Sequence, residues 1–545
     1  MWKRIYFIVS VLVSSLSAMA QQQIPYQNTF LPLEERLQDL VSRMTIAEKC
    51  AQLLHESPAI PRLGIPEYNW WNEALHGVAR FGRATVFPQP IGLAATFDPD
   101  LIYRMAVAIS DEARAKYNAA LALDNRTQYT GLTFWSPNIN IFRDARWGRG
   151  METWGEDPWL TSRMGVAFVK GMQGDHPRYL KTTTCMKHFA AHSGPEGERH
   201  SFNAEPPLKD LYETYLPAFE ALVREGKVES VMGAYSALYG EPTCASDLLL
   251  NRLLRGEWGF KGHVVSDCWA IRDFHEGHKV IASDFKSDRN DIGLPPTQLK
   301  YLRELRAMHP DTPLIILVTG GSPVNLREIY SLADALLFVW YPGERGGDAV
   351  ANVLFGDVSP SGKLSVTFPM DETQLPPYKD YSMVERTYKY ATTSPMFPFG
   401  FGLTYSSIEL ADLSIERVST ANNRSMKIAS GSFTSNDTLV VSFAASNTGE
   451  YATGEVVQCY QQTAGTRFRT PLFDLKEFIR IHLLPGEKRS YSFRIPVCRL
   501  VDFDEEGRRV LVKGKHKLFI STSLPIDRSR QLGSGKWLEQ DLNCL

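Results

Sequence analysis

Asp267 ends the apolar run Val264-Val265-Ser266-Asp267-Cys268-Trp269. A carboxylate fixed at the end of a strand is partly desolvated and rigidly aimed, the condition for a nucleophile that bonds covalently to its substrate. The same residue could instead begin the next helix as its N-cap. Lys187-His188-Phe189 follows the strand-like stretch 182–186 and could donate several hydrogen bonds to hydroxyl groups. Two neighbours in extended backbone point apart, however. Glu73 stands just after Trp70 and Trp71, where a carboxylate could accept two sugar hydroxyls while an indole covers an apolar ring face; it could equally be a solvated helix-start carboxylate. Tyr235 closes the run Val231-Met232-Gly233-Ala234-Tyr235 and could set a phenol beside the carboxylate or simply fill the core. Arg143-Asp144-Ala145-Arg146-Trp147-Gly148-Arg149 is dense in charge, and Arg143, Asp144 and Arg146 read as a buried structural ion-pair network.

The elements that must carry these residues alternate between short apolar runs and helical patterns from about residue 30 to 280. Leu33 to Val41 has helical spacing, while 228–235 and 263–266 read as buried strands. Such alternation predicts a parallel sheet or (β/α) barrel with its chemistry on loops after the strands. A second α/β segment, 281–405 with its linker, contains the bare strands Leu314–Val318 and Ala335–Trp340 and then a Pro- and Tyr-rich stretch from 376. From 408 to 523 short alternating strands such as Leu439–Phe443 and His516–Ile520 predict a β-sandwich. The tail after about 524 reads as polar and surface-bound.

Composition narrows the partners. A net charge of -2 over 545 residues supplies no field for nucleic acid or an anionic membrane. A neutral, polar ligand is the expectation. Lys3 and Arg4, the apolar stretch Ile5 to Leu16 and Ala18-Met19-Ala20 have the pattern of an export signal over residues 1–20, predicting a periplasmic or secreted protein. The apolar stretch is shorter than the ~20 residues a bilayer core requires. Seven cysteines lie beyond that segment in no metal-binding spacing, and an odd number leaves at least one unpaired within a monomer.

Taken in order, Asn72-Glu73-Ala74-Leu75-His76-Gly77, the 143–149 stretch with Glu152-Thr153-Trp154-Gly155-Glu156-Asp157-Pro158, Lys187-His188-Phe189 and Val265-Ser266-Asp267 resemble glycoside hydrolase family 3. Pro342-Gly343-Glu344-Arg345-Gly346-Gly347, the stretch 354–364 and Pro398-Phe399-Gly400-Phe401-Gly402-Leu403 resemble its second domain. Asn447-Thr448-Gly449 and Leu484-Pro485-Gly486-Glu487 resemble its fibronectin type III-like domain. The resemblance implies an exo-acting, retaining β-glycosidase without a cofactor, xylosidase-like, with Asp267 as nucleophile. It places Glu73, Arg149, Lys187, His188 and Tyr235, with Arg199 as a further candidate, around the non-reducing-end sugar. Glu73 stands where glucosidase-like members carry Asp. Its longer reach favours xylose, which lacks the C6 hydroxymethyl, though one methylene discriminates by only about 1–3 kcal/mol. A homodimer is left open.

The resemblance breaks near residues 280–285. Asp273 to Val280 still reads as barrel, yet 288–295 already reads as the middle of the second domain, so an internal piece is missing. The family's general acid is a Glu in that interval. Asp284 is the one carboxylate between 281 and 287, and Glu276 belongs by pattern to the barrel. The acid/base therefore has no assigned residue. The barrel is expected to be incomplete and the second domain shortened to about three βα units of ~30 residues. The alternatives are an impaired, sugar-binding remnant or a β-glucosidase-like member.

Overall fold

The computed structural model describes residues 24–274, 292–294, 296–419, 425–427 and 432–544. The export-signal segment and the junction carrying Glu276, Asp284 and 288–291 lie outside these residues. Two units divide the described chain, residues 1–71 with 124–131 and the remainder.

In the first unit, α1 (Leu33–Arg43) falls where the periodicity predicts it, and α2 (Ile46–Ala51) opens with a capping box between Thr45 and Glu48. A ribbon of β1 (Glu56–Ser57) and β2 (Tyr68–Asn69) follows. Tyr26, Ile60 and Leu63 form a small core. Leu33, Leu37 and Val41, at four-residue spacing on α1, stay 66%, 45% and 46% exposed.

The second unit contains the predicted βα alternation. Helix α3 (Pro99–Ala122), strand β3 (Thr133–Phe134), helix α4 (Pro158–Gln173), strand β4 (Thr183–Phe189), helix α5 (Pro217–Arg224), strand β5 (Ser230–Gly233) and strand β6 (His263–Ser266) follow in order. The strands lie side by side in that sequence, all parallel, and Asn72 bridges to Phe134 beyond β3. This is half a barrel. Asp98 and Asp157 fix the helix starts, their carboxylates accepting the amides of Leu101 at 2.9 Å and Leu160 at 2.6 Å. Met186, Phe189, Val231, Phe168, Phe219 and Leu222 pack sheet against helices and are fully buried. Strand β5 is buried along its whole length because β4 and β6 flank it.

The following segment carries α6 (Pro296–Met308), β7 (Ile315–Val318), α7 (Arg327–Leu332), β8 (Ala335–Phe338) and α8 (Gly346–Leu354). Two βα pairs are present among the described residues where about three were expected. Strands β7 and β8 pair in parallel. Ile316 and Val318 are buried, whereas Ile315 and Leu317 are 49% and 42% exposed. One sheet face is thus open.

Strands β9 (Ile408–Ser419), β10 (Asp437–Asn447) and β13 (Lys488–Pro496) form one layer of the sandwich. Strands β11 (Thr453–Thr463), β12 (Asp474–Leu483), β14 (Gly514–Ser521) and β15 (Leu538–Cys544) form the other. Val441, Phe443, Val457, Phe493 and Leu518 fill the space between. Strand β15 corrects the expectation of a surface-bound tail. Leu538, Leu542 and Cys544 turn toward the core, and three inward apolar side chains within a polar stretch are too few to betray a strand in sequence. All seven cysteines are free. Among the described residues, no helix is long and apolar enough to cross a membrane and no cluster of side chains could hold a metal ion.

Candidate active site

The carboxyl ends of β4, β5 and β6 converge on one cluster. Asp267 directly follows β6, its amide donating to Gly233 O on β5 at 3.1 Å. Its side chain caps no helix. Oδ1 accepts the amide of Cys268 at 2.7 Å, which ties the carboxylate to its own loop. Oδ2 is buried, accepts no hydrogen bond and lies 3.4 Å from His188 Nε2. An unbonded buried carboxylate oxygen is unusual, since such groups are costly to bury unsatisfied.

Lys187 and His188 end β4, and the peptide bond between them is cis. Both side chains reach the cluster, contrary to the expectation that neighbours diverge. Lys187 Nζ meets Glu73 Oε2 at 3.4 Å. Burial disfavours its charge, but Glu73 and Glu152 hold the ammonium above its ordinary range. His188 sits beside Arg149, whose Nη2 donates to Nε2 at 3.2 Å. Burial first, then the Arg149 cation, push the imidazole well below its ordinary value, so it is neutral. Tyr235 lies two residues past β5, buried, with the Arg199 guanidinium 4.8 Å over its ring. Burial and the Asp267 carboxylate keep its phenol protonated.

The structure therefore brings Asp267, Arg149, His188 and Tyr235 together and sets Lys187 with Glu73 alongside. Arg199 joins through Tyr235 and through Glu196, 3.5 Å away. A cavity of about 440 Å³ opens beside Glu73, Arg149 and Lys187. The predicted structural network is also present. Asp144 pairs with Arg146 and Arg386 at 2.7 Å each, and Arg143 lies 3.9 Å from the Tyr381 ring centroid.

Two residues were missed. Glu152 grips Arg149 with both oxygens, 3.0 and 2.7 Å away, and its carboxyl is lowered to about 2, burial opposing and Arg149 and Lys187 prevailing. Asn140 bonds His188 three times. Glu152 lies three residues from Arg149 in a sequence dense with charge, so its spacing was readable. Asn140 sits in an apolar run and gave no signal.

The model of the glycosyl hydrolase family 3 N-terminal domain matches residues 36–284, that of the family's C-terminal domain 270–405, and a fibronectin type III-like domain 455–524. A xylan 1,4-β-xylosidase of Xylanibacter ruminicola is 51% identical over 277 residues, 50% of this chain and 32% of that protein. Probable β-D-xylosidase 7 of Arabidopsis thaliana is 43% identical over 51% of this chain and 38% of that protein. The chain thus spans about a third of the length of these curated relatives. β-D-Xylosidase 1 of Arabidopsis thaliana aligns at 26% identity with 90% of this chain and 92% of its own length. Among solved structures, a family 3 exo-β-xylosidase with a xylobiose aziridine probe superposes with a TM-score of 0.83 at 21% identity, covering 96% of this chain and 93% of that one. β-Glucosidase 3B of Thermotoga neapolitana gives 0.73 at 20% identity, covering 93% and 100%. At these identities the superpositions speak for the fold alone. With both of its domain models matched in chain order across the half barrel and the segment that follows, the chain belongs to glycosyl hydrolase family 3.

Proposed function

We propose that the chain is an exo-acting, retaining β-glycosidase that removes xylose from the non-reducing end of xylo-oligosaccharides. Asp267 Oδ2 attacks the anomeric carbon, the bond to the leaving oxygen breaks, and a glycosyl–Asp267 ester forms. Water then attacks the same carbon and releases the sugar with its configuration retained. Glu73, Arg149, Lys187, His188 and Tyr235 hold the sugar. The observation that carries the reading is the buried, unbonded Oδ2 of Asp267 beside neutral His188. The relatives named as xylosidases and the Glu at position 73 support xylose. The pattern of residues 1–20 supports export, and we place the domain boundaries at 30–280 and 281–405 as the sequence does, with the third domain carried past 523 to take in β15.

A second reading, an impaired sugar-binding remnant, draws support from the open face of β7 and from the short coverage of the relatives. Leaving groups separate the two. A nitrophenolate departs without protonation, whereas the alkoxide of xylobiose needs a general acid worth about 10²–10⁴-fold. Efficient hydrolysis of both substrates supports a complete enzyme. Nitrophenyl xyloside cleavage with xylobiose left intact marks an impaired one, and binding without turnover of either marks the remnant.

A further inference from the structure

Asn140 follows the loop after β3 and packs against the end of β4. Its Oδ1 accepts the backbone N–H of His188 at 2.8 Å, and its Nδ2 donates to the backbone carbonyl of His188 at 2.8 Å. Each backbone group can play one role only, so the amide has one orientation. Oδ1 also lies 3.0 Å from His188 Nδ1. An acceptor oxygen there requires that Nδ1 carry the proton. In a neutral imidazole Nε2 is then a bare lone pair, consistent with its receiving Arg149 Nη2, which can only donate, at 3.2 Å.

The consequence falls on Asp267. Its Oδ2 is 3.4 Å from Nε2, and with no proton on that nitrogen the histidine gives it no hydrogen bond. The opposite tautomer would put an N–H on the nitrogen 3.4 Å from the carboxylate, its positive hydrogen stabilising the negative charge and blunting the nucleophile. We propose that Asn140 is a positioning residue that selects the Nδ1–H tautomer of His188 and so keeps Asp267 Oδ2, rather than Oδ1, as the attacking oxygen. This inference rests on the reading of Asp267 as nucleophile.

Nitrogen NMR of the full chain labelled with ¹⁵N-histidine tests the tautomer without substrate, with the His188 signals identified by their loss in His188→Gln. Wild-type protein is expected to show a protonated Nδ1 and a bare Nε2 from pH 6 to 8. A proton on Nε2 overturns the proposal. Asn140→Leu is expected to release the Nδ1–H and lower kcat on nitrophenyl xyloside about 10- to 100-fold with KM changed less than about threefold. Asn140→Asp keeps the acceptor and adds charge, so it should retain Nδ1–H while adding an acidic limb to the pH–kcat profile as the ring takes a second proton. Both variants turning over within twofold of wild type, without such a limb, also overturns it. If instead Asp267→Ala keeps full turnover while the tautomer is as expected, the nucleophile reading fails and the account of His188 stands.

Discussion

The half barrel and the α/β segment after it are built from the same kind of unit and end in opposite condition. Strand β5 is buried from end to end, with β4 and β6 on its edges and helices on its face. Strand β7 alternates buried Ile316 and Val318 with open Ile315 and Leu317, and helix α6 buries none of its residues. A parallel sheet is stable when both faces are covered. The half barrel meets that condition around β4 and β5, where the candidate site lies, whereas the second segment has one covered layer. The candidate site therefore rests on the region that is closed, and tolerance to change is expected of the region that is open.

The sharpest way to break this contrast is at the site. Asp267→Ala should cost on the order of 10⁴-fold or more in kcat on nitrophenyl xyloside, because a nucleophile has no substitute in a double displacement. Its melting temperature should shift far less than its turnover, since the side chain gives up one hydrogen bond, from the Cys268 amide to Oδ1. Next comes Glu152→Ala, which leaves half-buried Arg149 without its bidentate partner. Denaturant titration should show a loss of about 1.5–3 kcal/mol. Alanine at fully buried Met186 on β4 should cost about 2–5 kcal/mol, while Leu317→Ala, on the open face of β7, should fall within about 0.5 kcal/mol. Equal losses at these two positions would mean that β7 is covered.

A pH-dependent effect lies at the seam. Glu156 begins the turn into α4 and accepts hydrogen bonds from Thr367 of the second segment, N–H at 3.0 Å and Oγ1–H at 2.5 Å. Burial raises its carboxyl from 4.5 to about 7. The folded chain then keeps a proton that the unfolded chain has lost, so stability falls as pH rises from about 4.5 to about 7. The slope is about 1.4 kcal/mol per pH unit. Glu156→Gln should flatten that decline in melting curves recorded from pH 5 to 8.

Most of the frame was legible because its signals are periodic. The apolar runs ending at Ser266 and Val318 and the alternation of Leu439 to Phe443 each became strands. Asp267, His188 and Tyr235 were readable as strand-end polar residues. Their mutual geometry was not, because it depends on Asn140, a polar residue hidden in the apolar run 139–142. Strand β15 escaped for the complementary reason, since its inward side chains alternate with Glu539, Asp541 and Asn543 in a polar stretch. The open face of β7 follows from what packs against it, which no local pattern encodes.

One covalent bond decides the matter. Incubating the full chain with a 2-deoxy-2-fluoro-xyloside bearing an activated phenol should add one fluoroxylosyl group to the intact mass, and fragmentation of the peptide spanning 263–272 should place it on Asp267. Label on another carboxylate, or steady turnover with no label on any, would contradict the account.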